Sequence, residues 1–138
     1  MSVLFSGGCA CKAIRYECSA VPIYSLNCHC LDCQRATGSA YSSVRIVPAS
    51  AVRILSGELR YHVVKSDAGH EVRRGFCPDC GSPTLGEIVE RPEVVLINCG
   101  SLDDPSQYPP SMDFYTSRAQ PWDIMDPALM KYAKGLSN

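Results

Sequence analysis

Seven of the chain's nine cysteines fall into three tight clusters: Cys9-Ala10-Cys11, Cys28-His29-Cys30-Leu31-Asp32-Cys33 and Cys77-Pro78-Asp79-Cys80-Gly81. Any fold must place these thiols somewhere useful. Clustered cysteines in a reducing compartment hold metal or do redox chemistry more often than they form structural disulfides. The odd total leaves at least one thiol unpaired in any disulfide scheme. The opening residues, MSVLFSGGCACK, show no basic region followed by a long apolar run, so no export signal is expected. The longest apolar stretch, Val94 to Ile97, is too short to span a bilayer. The expectation is a cytoplasmic zinc protein without a membrane anchor.

Zinc takes four soft, deprotonated donors in a tetrahedron. Cys77-Pro78-Asp79-Cys80-Gly81-Ser82 has the form of a knuckle in which two sulfurs reach one ion while Gly81 relieves the reversing backbone. A knuckle gives two ligands, and its partner pair is either Cys9/Cys11 or two members of the middle cluster. The economical partition puts Cys9, Cys11, Cys77 and Cys80 on a closed structural zinc. Cys28, Cys30 and Cys33 then hold a second zinc with an open position, the arrangement of catalytic sites. On this partition each chain carries two zincs, the second of which is the more easily lost. Cys30 and Cys33 would lie at the start of a short helix, where free N–H groups favour thiolates. Arg35 could offset the residual charge, since three thiolates and one Zn²⁺ sum to −1. Other completions remain open: His29 or Asp32 as fourth ligand, a redox thiol pair, or a ligand from a partner chain. Alternation in an extended segment points His29 away from its neighbours, which favours a supporting role. Cys18 and Cys99 read as core thiols, and His62 and His70 as solvent-facing.

The remainder of the sequence reads as one mostly β domain over residues 1–138. Turn residues recur at short intervals, and between them lie β-branched and aromatic segments such as Ala13–Cys18, Tyr41–Val47 and Val72–Phe76. Leu59–Ser66 and His70–Phe76, joined across Asp67-Ala68-Gly69, form an expected hairpin. Val94–Ile97 should be a central strand buried on both faces. One short helix is expected at Leu31–Thr37, stopped by Gly38, and another at Asp126–Gly135, with Asp126 as its cap and Pro127 in first position. Thirteen basic and fourteen acidic residues give a formal net charge of −1, which argues against nucleic acid as a partner. No heptad or long edge strand indicates an oligomeric state.

Gly8-Cys9-x-Cys11, the block Cys28-His29-Cys30-x-x-Cys33-x-Arg35-x-x-Gly38, Phe76-Cys77-x-x-Cys80-Gly81-Ser82 and the tail Ser117-Arg118-Ala119-x-Pro121-Trp122 resemble, in order and spacing, the glutathione-dependent formaldehyde-activating (GFA) family. The resemblance implies an Mss4-like (β-tent) zinc-binding fold of short antiparallel sheets with one or two short helices. It also implies one structural and one catalytic zinc, and a carbon–sulfur lyase activity in which glutathione, or another small thiol, combines with an aldehyde to give a species such as S-(hydroxymethyl)glutathione. Tyr41, Arg35, Trp122 and His29 are expected neighbours of the open site. Two other functions compete: a non-catalytic zinc module that binds protein or nucleic acid, and a thiol redox protein of the methionine sulfoxide reductase type.

Overall fold

The computed structural model describes residues 2–136. Its strands are β1 (Phe5–Gly8), β2 (Arg15–Cys18), β3 (Tyr24–Cys28), β4 (Ser42–Pro48), β5 (Val52–Ser56), β6 (Arg60–Lys65), β7 (Glu71–Phe76), β8 (Pro83–Ile88), β9 (Val94–Asn98), β10 (Met112–Phe114) and β11 (Met130–Lys131). The single α-helix among the described residues, α1, is Leu31–Thr37. Strands β1, β2 and β5 make a small antiparallel sheet, while the other eight run in the order β11-β10-β3-β4-β9-β8-β7-β6. The large sheet is antiparallel except around β10, which pairs in parallel with both β3 and β11. This is the mostly β architecture that the turn rhythm predicts. No helix among the described residues is long and apolar enough to cross a membrane.

The core lies between the two sheets. Phe5, Tyr16 and Cys18 of the small sheet pack with Val47, Leu85 and Ile97 of the large one and with Leu102. Tyr16 is fully buried, and its hydroxyl is 2.6 Å from Ser101 Oγ, which satisfies a polar group that burial would otherwise penalise. Gly7 passes so close beneath this pair that a Cβ there would sit 2.3 Å from the Ser101 carbonyl and 2.4 Å from the Tyr16 hydroxyl. Gly7→Ala must therefore push backbone away from backbone. A loss of about 1–3 kcal/mol in urea unfolding is expected. An unchanged midpoint would mean that the two sheets can slide apart at no cost.

The predicted hairpin forms as β6 and β7, in register from Arg60↔Phe76 to Lys65↔Glu71. Helix α1 also forms as predicted and ends at Gly38, whose φ of +67° lies in the left-handed region that favours glycine. Strand β9 is central, between β4 and β8, but it is not buried on both faces: Ile97 is buried, while Val94, Val95 and Leu96 are half-exposed. Leu96 instead borders a cavity on the face away from the core. Cys18 is a core thiol, as expected. Cys99 is only half-buried, and its sulfur accepts a hydrogen bond at 3.0 Å from Arg45, a side chain 1% exposed. His62 is exposed, and His70 is half-buried rather than fully solvent-facing.

The predicted helix at 126–135 does not form. Asp126 does act as a local cap, its carboxylate accepting from the Ala128 N–H at 2.8 Å, but only a single turn follows. The chain then enters β11, with Met112↔Met130 in register, and Lys131 reaches Asp113 at 2.9 Å. An isolated helix of ten residues is marginal in water, so strand pairing and an ion pair with the buried Asp113 outweigh the capping signal.

Candidate metal centres

The thiols of Cys9, Cys11, Cys77 and Cys80 all lie within 4.8 Å of one another, as do those of Cys28, Cys30 and Cys33. The structure thus brings together both predicted sets, and both clusters could hold a metal ion. No other group of three or more His, Cys, Asp or Glu side chains among the described residues converges in this way.

In the four-cysteine cluster, local backbone geometry presents the sulfurs. Cys9 leaves the end of β1 in a tight turn where the Lys12 N–H bonds the Cys9 carbonyl and Lys12 takes φ +69°. The Ile14 N–H donates to Cys9 Sγ at 3.2 Å. In the opposing knuckle the Gly81 N–H bonds the Cys77 carbonyl at 2.8 Å, with Gly81 at φ +77°. Ser82 ties the two turns together by accepting from the Ala10 N–H. Cys9–Cys11 and Cys11–Cys77 sulfurs are 3.6 and 3.7 Å apart. A disulfide would need about 2.05 Å. A tetrahedron with metal–sulfur bonds of about 2.3 Å has edges of about 3.8 Å, so the donors fit a thiolate-bound metal.

The ionisation of Cys9, Cys11 and Cys80 agrees with that fit. Hydrogen bonds from the Ser82 hydroxyl and backbone hold Cys80 down at about 5. Cys9 is also lowered: burial pushes it up, but the Ile14 N–H and the Cys11 and Cys77 thiols outweigh burial. Cys11 goes the other way, up to about 12, because the Ala13 N–H cannot offset the repulsion of Cys9 and burial. Crowded thiols resist joint ionisation unless a cation sits among them.

The three-cysteine cluster is built on one short segment. Cys28 ends β3, Cys30 caps α1 with its sulfur accepting from the Cys33 N–H at 3.4 Å, and Cys33 is buried in the first turn. Cys33 is drawn down to about 3, first by hydrogen bonds from Cys28 and Cys30, against burial, and further by the Arg74 guanidinium. Arg74 of β7 donates to Cys33 Sγ at 3.5 Å. Cys28 is pushed strongly upward by its two thiol neighbours and by burial. One thiolate therefore forms readily, and the others need a cation.

Arg74, not Arg35, is the basic partner. Arg35 lies exposed on α1. A detectable signal was present in the alternation of β7, where Val72, Arg74 and Phe76 share a face and a charge stands between two apolar residues. Neither His29 nor Asp32 joins the cluster. The His29 side chain is 1% exposed and points away, with Nε2 2.9 Å from Asp113 and Nδ1 3.4 Å from Asp123. Its backbone is gripped as well, the N–H donating to the Phe114 carbonyl and the carbonyl accepting from Gln34. Asp113 is 1% exposed and also meets Lys131. Burial raises its pKa, but hydrogen bonds from His29 and Lys131 outweigh that and hold it below the usual carboxylate range. Tyr41 lies against His29 with ring centroids 5.1 Å apart, whereas Trp122 is 68% exposed. Asp113, Asp123 and Lys131 had no signal in the sequence beyond ordinary charge.

The sequence profile described as "Glutathione-dependent formaldehyde-activating enzyme" matches residues 4–118. A relative from Phaeosphaeria nodorum is 32% identical over 90 residues, 62% of this chain and 46% of its own length. One from Penicillium rubens is 33% identical over 89 residues, 61% and 46% of the two chains. Both carry the name "Putative glutathione-dependent formaldehyde-activating enzyme". The chain spans about half the length of these curated relatives. A crystal structure of a Rhodobacter sphaeroides protein superposes with a TM-score of 0.60 at 18% identity, covering 92% of this chain and 98% of that one, which shows the shared fold.

Proposed function

The chain belongs to the glutathione-dependent formaldehyde-activating family, and on that premise we propose that it is a cytoplasmic two-zinc enzyme, folded as a single domain, that makes or breaks the carbon–sulfur bond between a small thiol and an aldehyde. Cys9, Cys11, Cys77 and Cys80 would hold the structural ion. Cys28, Cys30 and Cys33 would hold the other. The reaction is balanced without a further reactant: the thiol sulfur bonds the aldehyde carbon, and the thiol proton ends on the former carbonyl oxygen. Glutathione, present in the relatives' names, is the thiol we favour.

The observation that carries this reading is the convergence of three thiols and no fourth ligand among the described residues, beside a guanidinium that also borders a cavity. Three protein ligands with a free position is the arrangement of catalytic zinc. Bound zinc supplies Lewis acidity, which polarises a carbonyl oxygen and favours the ionised form of a nearby thiol. Arg74 balances the surplus negative charge of the three sulfurs and presents N–H donors where an aldehyde oxygen would gain charge. His29 does not move a proton; held between two aspartates, it fixes the turn that carries Cys28 and Cys30.

Zinc content by elemental analysis, on protein purified without chelators, tests the assignment. Two ions per chain should fall to one in Cys30→Ala, and adduct turnover should be lost while the fold persists. One ion in both proteins would remove the second zinc and leave Cys28, Cys30 and Cys33 as free thiols.

A further inference from the structure

A cavity of about 210 Å³ opens on the face of the large sheet away from the core, between α1 and strands β4, β9, β8 and β7. Its walls include Ala36, Val72, Phe76 and Leu96, and Arg74 borders it on the side of Cys33. Its floor is Gly86. Arg74, Gly86 and Leu96 are successive cross-strand partners, so they share one face, and the glycine leaves a gap between two long side chains. The nearest atoms to a Cβ at Gly86 would be the Arg73 carbonyl oxygen at 3.2 Å and two Leu96 side-chain atoms at 3.8 Å. Backbone conformation does not demand glycine here, since Gly86 is absent from the positive-φ residues.

We propose that this cavity receives the hydrocarbon substituent of the aldehyde partner, so that the preferred substrates are thiol adducts of aldehydes carrying a short carbon chain rather than of formaldehyde alone. The inference rests on the thiol–aldehyde reading of the adjacent cluster. In such an adduct the sulfur is bonded to a carbon that bears a hydroxyl and the aldehyde's substituent. With the sulfur at the three thiols, that carbon lies by Arg74 and its substituent lies toward Gly86. The cavity suits this group and not the thiol's own body. At about 210 Å³ it is smaller than the roughly 300–1,000 Å³ of pockets that enclose a drug-sized ligand. Its walls are mainly apolar, and a peptide's amides and carboxylates would lose their hydration there without partners.

The test is binding of two thioethers, S-butylglutathione and S-methylglutathione, to the full metal-loaded chain, followed by amide chemical shifts. Neither has a bond the proposed reaction would cleave, so the comparison stands apart from turnover. The butyl compound is expected to bind at least about tenfold more tightly and to shift the Gly75, Gly86 and Leu96 amides. That ratio should collapse to about one in Gly86→Val, whose methyl groups fill the floor, with retained far-UV circular dichroism as the check on folding. In Leu96→Ala, which widens the cavity, S-hexylglutathione should gain on the butyl compound. Equal affinities in the wild type, no saturable binding of either compound, or a preference that survives Gly86→Val in a folded protein would each overturn the proposal. Failure of every aldehyde adduct to turn over, with the butyl preference intact, would instead count against the reaction and leave the cavity's ligand class standing.

Discussion

Cys77→Ser is expected to yield a chain that does not hold its fold at physiological temperature and contains less zinc than the wild type. Cys77 is fully buried beside Cys9 and Ile14, at the bottom of the four-sulfur cluster. A serine oxygen is a harder, less readily ionised donor and cannot replace the thiolate. The stake is large compared with the stability available. Structural zinc sites contribute about 10–16 kcal/mol of apparent binding energy in small domains, while net stabilities are about 5–15 kcal/mol. The cluster also closes a loop, with Cys11 and Cys77 66 residues apart, so its loss frees much of the unfolded chain. Thermal unfolding by circular dichroism, together with zinc analysis, reads both effects. A variant that melts within about 2 °C of wild type would mean that the four thiols bind no structural ion.

The second large effect is expected at a residue that touches no metal ligand's sulfur. Asp113→Ala should cost about 1–3 kcal/mol, because it leaves the buried His29 ring without its Nε2 partner and removes the carboxylate that faces Lys131. The isosteric Asp113→Asn should lose less, since it keeps the shape and one acceptor. The pH dependence has a definite sign. The folded carboxylate titrates below its unfolded value of about 3.9, so its stabilisation is full above that value and is lost as the pH falls through the folded one. The gap between wild type and Asp113→Asn should therefore be widest near neutrality and narrow in acid. Urea unfolding across that range measures it. Because the same carboxylate steadies the His29 turn, the variant should also lose metal from Cys28, Cys30 and Cys33 before it loses metal from the other cluster. A change below about 0.5 kcal/mol at neutral pH would show that the buried network is dispensable.

The contrast between these residues explains what the sequence reveals. Cys77 and Cys80 declare themselves because metal ligation requires soft donors a few residues apart on one turn, and such spacing survives without knowledge of the fold. Helix α1 is equally local, bounded by the Cys30 cap and the αL residue Gly38. Pairing Cys9 and Cys11 with the knuckle followed from counting ligands, although 66 residues intervene. Asp113 gave no such signal. It meets His29 across 84 residues, through the parallel pairing of β10 with β3, and nothing in its neighbours marks it as buried. The pairing of β11 with the other edge of β10 explains the missing C-terminal helix, since the capping signal of Asp126 and Pro127 is local whereas the strand that recruits Met130 and Lys131 is not. Arg74 is intermediate: its place in the alternation of β7 was readable, but its sulfur partner was not.

The parallel seating of β10 beside β3 sets an order of assembly as the chain leaves the ribosome. All four thiols of the first cluster are available once Cys80 has left the ribosome, and that cluster can close from then on. Cys28, Cys30 and Cys33 emerge much earlier, yet the strand and carboxylates that clamp the intervening His29 are synthesised more than eighty residues later. During that interval the earlier trio is a loose, unsupported set of thiols, open to whatever cation or oxidant is at hand. Its final geometry depends on residues 112–131, so a pause in synthesis before they are made would expose one centre while sparing the other.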